Sequence, residues 1–346
     1  MNKMTVFIGL LLVVIACKKA SEILPELPEL FKGFVQPANF PAPVYNVAKN
    51  PISKEQFELG KKLFYDARLS RNNTISCGSC HIPAAGFTHH GHDVSHGIDD
   101  QLGTRNSMPI MNVAWNKAFF WDGGVADLDL LAIVPIENPV EMDERVPNIL
   151  KKLEEDEQYH SMFEKAYGTS EITSVRFLKA LSSFMLMATS SNAKYDKVMR
   201  KEGAQFTQEE EKGYALFRSK CANCHPEPLF TDGTFRSNGL APSAVNDLGR
   251  YDITLNPLEK YKFKVPSLRN LRYTAPFMHD GRFLNLEGVL NHYSNEVIDN
   301  GTLDPLLKNS NGKLGIQLTV NERALLLSFL ETLNDESFIQ NKLLAE

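Results

Sequence analysis

Apolar positions recur at helical spacing in four stretches of the chain. The first is Ser53–Phe64 (SKEQFELGKKLF) and the third is Thr207–Phe217 (TQEEEKGYALF). Each opens with a Ser or Thr followed three residues on by Gln or Glu, Ser53 with Gln56 and Thr207 with Glu210. That pairing is the capping-box signature of a helix start. Each then groups a glycine with two large apolar residues: Gly60, Leu63 and Phe64, then Gly213, Leu216 and Phe217. A residue without Cβ at that point lets a second helix approach closely. The second and fourth stretches, Val175–Ala188 and Asn321–Leu333, predict a late apolar helix in each half, the latter capped by Thr319 with Glu322. Most Leu and Met positions in these helices read simply as core.

The remaining pattern sets the organisation. Lys3 followed by the apolar run Val6–Ala16 has the form of an export leader, too short to span a bilayer. Val14-Ile15-Ala16-Cys17 resembles a bacterial lipobox, in which Cys17 is acylated and becomes the new N-terminus; a buried strand is the alternative reading. Ser21–Val47, with prolines at 25, 28, 37, 41 and 43, reads as a tether. Asn192–Phe206 is charged and lacks an apolar face, so a domain break is expected there. The predicted organisation is a leader over 1–17, a tether over 18–49, and domains over 50–200 and 201–346. No run of 18 apolar residues follows the leader, so the membrane is reached through the lipid anchor only.

Composition adds limits. The chain has 346 residues, 43% of them hydrophobic, enough for one large or two moderate domains. With 37 basic against 42 acidic residues and a net charge of −5, a nucleic-acid partner is not expected. Of the five cysteines, all but Cys17 fall in two motifs, Cys77-x-x-Cys80-His81 and Cys221-x-x-Cys224-His225. None is left for a disulfide, which is unusual in an exported protein unless the thiols are consumed otherwise.

Cys-x-x-Cys-His is the attachment pattern of c-type haem: two thioether bonds to the vinyl groups, with the adjacent His placed to ligate iron. A four-thiolate zinc site is the rival, but zinc does not require a His after each second Cys. A thioredoxin-like pair fits poorly, since neither motif follows a βαβ pattern. Helix, haem motif, loops and late helix, twice over, predict an all-α chain of two tandem cytochrome c-like haem domains. Two covalent c-type haems are the expected cofactors.

A haem with both axial positions filled transfers electrons, whereas an open or displaceable position permits chemistry. Near the first motif the candidate ligands are His89, His90, His92 and His96, each also readable as a solvated loop residue. Near the second they are Met278, His279, His292 and Tyr293.

Three further segments carry a resemblance. Leu102–Gly124 (LGTRNSMPIMNVAWNKAFFWDGG), Asn138–Met142 (NPVEM) and Val265–Phe283 (VPSLRNLRYTAPFMHDGRF) resemble the bacterial di-haem cytochrome c peroxidase family, which includes MauG. The likeness runs over roughly residues 50–335. It implies two haem domains packed across an interface, with H₂O₂ reduced at the N-terminal haem. Electrons would enter through the C-terminal haem from a small cytochrome c or cupredoxin.

Carried over residue by residue, the resemblance makes His81 and His225 iron ligands and His96 a displaceable distal ligand. It makes Glu141 the distal acid/base and Trp121 the indole between the haems; Trp115 has no counterpart. Asn106, Thr274 and Pro276 fall at a family calcium site. Two positions depart from the peroxidase pattern. Tyr293 stands where many members have a distal Met, as it does in MauG, and Met278 and His292 are the other candidates there. Leu131 stands where several members carry a glutamine.

Three functions follow: a periplasm-facing peroxidase, a MauG-like oxidase acting on a residue of a partner protein, and a non-enzymatic di-haem electron carrier. The first is the expected one, in a cell-envelope lipoprotein anchored at Cys17. The oligomeric state is open, a homodimer included.

Overall fold

The computed structural model describes residues 31–346; the leader, the lipobox and Cys17 lie outside the described residues. Among the described residues no helix is long and apolar enough to cross a membrane. The regular structure from Gly33 to Glu346 is almost wholly helical, with one two-stranded antiparallel ribbon, Phe235–Arg236 against Phe263–Lys264. That agrees with the all-α expectation.

Each half is built around a pair of crossing helices. Lys54–Tyr65 packs on Ser174–Met187, and Gln208–Lys220 packs on Val320–Glu331. The predicted starts form as reciprocal boxes. The Gln56 N–H donates to Ser53 Oγ while the Ser53 N–H donates to Gln56 Oε1, both at 3.1 Å. Thr207 with Glu210 and Thr319 with Glu322 repeat the exchange. Each box satisfies two backbone donors that a bare helix end leaves unpaired.

The two glycines account for the closeness of the crossings. A Cβ on Gly60 would lie 1.9 Å from the Ala180 carbonyl oxygen, and one on Gly213 would lie 2.0 Å from that of Leu325. Around each crossing sits an aromatic core. Phe64 and Phe184 have ring centroids 4.7 Å apart in the first, and Phe217 and Phe329 are 5.0 Å apart in the second. Burying each such ring contributes about 1.5–3 kcal/mol.

Two segments differ from their sequence reading. Residues 33–49, expected to belong to a tether, lie against the body. Phe40 is buried and meets Trp115 edge-on at 5.0 Å, and the Trp115 indole N–H donates to Pro41 O at 2.8 Å. The segment's aromatic residues, rather than its prolines, decide its placement. Asn192–Phe206 is likewise no open break. It contains the helix Lys194–Met199, whose Tyr195 and Asp196 are buried. Its buried charge, Asp196, is compensated, because Arg269 grips it through two bonds of 2.8 and 2.7 Å.

Candidate active site

The first haem motif begins on the short helix Cys77–Cys80 and ends at His81. The His81 Nδ1–H donates to the Phe87 carbonyl at 2.8 Å, which fixes the ring and leaves Nε2 free to ligate. The second motif repeats the device. The His225 Nδ1–H lies 3.0 Å from Phe230 O and 3.1 Å from Pro266 O. Both phenylalanines have positive φ, 61° and 56°, and that backbone turn places their carbonyls at the histidines. Burial lowers the basicity of both imidazoles, so each presents a neutral donor to a metal.

None of the four motif cysteines is in a disulfide. Burial pushes the Cys77 and Cys221 thiols up to about 12 and Cys80 to about 11. Cys77, Cys80 and His81 open on a cavity of about 660 Å³, within the roughly 300–1,000 Å³ of ligand clefts. Two thiols, an oriented imidazole and a cleft of that size fit a covalently attached haem.

The cavity wall includes residues singled out in the sequence. Glu141 and Trp121 both line it, as does Leu131. Burial raises the Glu141 carboxyl above the ordinary carboxylate range, partly offset by hydrogen bonds from Ser95, at 3.5 Å, and Asn138. Trp121 is buried, and its indole N–H donates to Asn106 O at 2.9 Å. Asn106 in turn ties the loops together, its amide donating to Asp93 O at 3.0 Å and its backbone N–H to His279 O at 2.7 Å.

Asn106 and Thr274 are both buried, and Pro276 follows a cis peptide bond. Among the described residues no cluster of His, Cys, Asp or Glu has the makings of a metal site.

His96 sits apart from this wall. Its Nε2 pairs with Asp100 at 2.5 Å, its ring lies 5.3 Å from that of His92, and it is not among the cavity-lining residues. Its backbone carbonyl, not its ring, faces the motif, accepting from Cys80 Sγ at 3.4 Å. His89 stacks on His92 at 4.1 Å, and burial beside the other imidazoles lowers it to about 4.

At the second motif the structure sorts the four candidates. His279 stacks on Phe263 at 3.7 Å, and His292 Nε2 lies 3.1 Å from Asn238 O. Both rings are thus engaged elsewhere. Tyr293 lies on the π-turn His292–Glu296, close enough to Cys221 and Cys224 for their thiols to act on its phenol. Burial pushes that phenol up to about 12 against a hydrogen bond from Asn238. The Asn238 amide also donates to Met278 Sδ at 3.5 Å. Tyr293 and Met278 therefore share one polar neighbour on one side of the second site.

Several known proteins are similar to this chain. Residues 54–204 match the family model described as di-haem cytochrome c peroxidase. The chain is 35% identical over 322 residues to the methylamine utilization protein MauG of Methylorubrum extorquens, a match covering 90% of this chain and 86% of that protein. It is 36% identical over 244 residues to the cytochrome c551 peroxidase of Nitrosomonas europaea, covering 69% of this chain and 73% of that one. The solved structure of a MauG-like protein associated with microbial copper homeostasis superposes with a TM-score of 0.80 at 33% identity, covering 90% of this chain and 97% of that one. The chain belongs to the di-haem cytochrome c peroxidase family. Two c-type haems are the cofactors of that family, as the two motifs require.

Several residues of the site carried no sequence reading. Phe87 and Phe230 act through their carbonyls, and the one signal was a repeated Phe-Thr pair shortly after each motif. Lys264, flanked by Phe263 and Val265, lines the cavity and is buried. Asn238 stands in a loop with no periodicity to mark it.

Proposed function

We propose that this protein is a cell-envelope di-haem peroxidase that reduces H₂O₂ to two waters at its N-terminal site, with electrons entering through the C-terminal site. The observation that carries the reading is Glu141, a half-buried carboxyl with raised pKa on the wall of the cavity that His81, Cys77 and Cys80 open into. The haem iron, when bound, supplies the coordination position for peroxide and exchanges the electrons. Glu141 would take the proton from one peroxide oxygen and return it to the other, so that water rather than hydroxide leaves. Leu131 and Ala132 keep part of the wall apolar, which holds the carboxyl out of bulk water. Trp121 stands on the same wall with its indole anchored to Asn106 and serves as the bridge toward the C-terminal site. A small cytochrome c or cupredoxin is the donor, Cys17 the lipid anchor, and Asn106, Thr274 and Pro276 the oxygen donors to calcium.

A second reading, a MauG-like oxidase acting on a partner protein, is favoured by two observations. Tyr293 faces the second motif, and the His96 ring turns toward Asp100 instead of the cavity. Rapid mixing of the haem-loaded protein with H₂O₂, once diferric and once half-reduced, separates the readings. Fast reaction of the half-reduced form alone supports the peroxidase, with His96 swinging in as a displaceable ligand. Equal and immediate reaction of the diferric form, with a long-lived oxidised product, supports the MauG-like reading. No reaction in either state contradicts both.

A further inference from the structure

Lys264 is a buried cation without an anion. It sits on the ribbon strand Phe263–Lys264, 6% exposed, on the wall of the N-terminal haem cavity. Its ammonium can donate three hydrogen bonds, and it makes one, to Ala118 O at 3.0 Å. Among the described residues no carboxylate comes within ion-pair distance of it, and burial alone acts on its basicity. The other cavity-lining cation, Arg105, is by contrast fully engaged by Asp122 and Asp247. An uncompensated buried charge costs several kcal/mol, so the site as folded calls for a negative group to enter the cavity.

The group that enters brings its own carboxylates. Thioether attachment at Cys77 and Cys80 consumes the vinyl edge of a haem, and the two propionates on the opposite edge must find partners elsewhere on the wall. Glu141 cannot supply them, being itself acidic. We propose that Lys264 is the counter-charge of a propionate of the N-terminal haem and holds that carboxylate against the loop carrying Trp121. The coupling to that loop is direct and runs through two hydrogen bonds. The Lys264 backbone N–H donates to Trp121 O at 2.7 Å, and its ammonium reaches Ala118 on the same loop. Lys264 is thus a positioning residue. One residue of the C-terminal half meets the haem edge through its side chain and the Trp121 loop through its backbone N–H and its ammonium. The inference rests on haem occupancy of the cavity and not on which oxidant or electron acceptor the enzyme uses.

The test uses the full-length haem-loaded protein and its K264Q and K264R variants, with ¹³C-labelled haem propionates. Covalent haem is first counted by mass. A nearby cation disfavours the more positive, oxidised iron, so K264Q lowers the reduction potential of the N-terminal haem and leaves the C-terminal one in place. K264R keeps the wild-type value. The labelled carboxylate band in the redox infrared difference spectrum shifts in K264Q and not in K264R. An N-terminal potential and a labelled band that are the same in all three proteins overturn the proposal, as does a shift confined to the C-terminal haem. If K264Q does not load haem, the wild-type protein decides. Its labelled band moves in D₂O when lysine protons bond the carboxylate, and an insensitive band overturns the proposal. A wild-type chain without N-terminal haem overturns this inference and the peroxidase reading together, whereas a loaded chain with an unmoved band overturns this inference alone.

Discussion

Phe87 and Phe230 show how single residues in this protein act through their backbone. Each carbonyl accepts from a motif histidine, and each depends on a positive φ that only the surrounding loop can hold. A sequence records the side chain, not the torsion, so their role was illegible, whereas the cysteines and histidines of the motifs were plain. Tyr293 lies between these cases. Its position was legible, but its closeness to Asn238 and to the motif thiols is a matter of folding. A phenolate favours ferric iron where a thioether favours ferrous. If Tyr293 is the sixth ligand, Tyr293→Met raises the potential of the C-terminal haem in a potentiometric titration. An unchanged potential would assign the position to Met278. His96 is a converse case: its place after the first motif is plain in the sequence, whereas the contact of its Nε2 with Asp100, which turns the ring from the cavity, is set by folding.

At the scale of elements the reading was most complete. Three capping boxes and two glycine contacts stood in the sequence as local patterns, and all five form as expected. Local patterns survive folding because their partners lie within one turn of helix. The glycines extend this to a pair of helices, since a missing Cβ has meaning only where another backbone approaches. Gly60→Ala and Gly213→Ala would each force a methyl carbon to about 2 Å from a carbonyl oxygen. Overpacking of this kind costs about 1–3 kcal/mol or more. Thermal unfolding of the haem-loaded variants should show lowered midpoints for both, and a midpoint unchanged in either would show that the crossing is looser than described. The segments that misled, residues 33–49 and 192–206, are those whose partners lie far away in the chain. Their proline content and charge said loop, while Trp115 and Arg269 supplied the surfaces that order them.

Residues 33–346 form one compact unit, and buried charged and polar groups tie its distant segments together. Arg269 is fully buried, held by Asp196 and by the Pro228 carbonyl at 2.7 Å, with its guanidinium 4.8 Å from the centre of the Phe40 ring. Asp335 accepts from the Ser191 and Asn192 N–H groups at 3.0 and 2.8 Å and so fixes the crossover between halves. Removing one partner of a buried pair strands the other. Asp196→Ala should therefore destabilise the protein by about 3–5 kcal/mol, read from its denaturant midpoint. A loss below about 1 kcal/mol, the worth of an exposed pair, would contradict the role given to this contact. Such long-range pairing is invisible in sequence, yet it places the cavity, Trp121 and Lys264 from separate segments on one wall.

In the proposed reaction Glu141 moves the proton in peroxide cleavage on that wall. Its ionised form is the base, and burial raises its pKa, so the cleavage rate should rise with pH through a group titrating above the usual carboxylate range of about 4.3. The decisive measurement is rapid mixing of haem-loaded wild type and Glu141→Gln with H₂O₂ across that range, with haem content matched. The cleavage rate should fall by about 10²–10⁴-fold in the variant, the usual worth of a general acid–base, with the pH dependence abolished. A variant that cleaves peroxide at the wild-type rate with the same pH profile would contradict it.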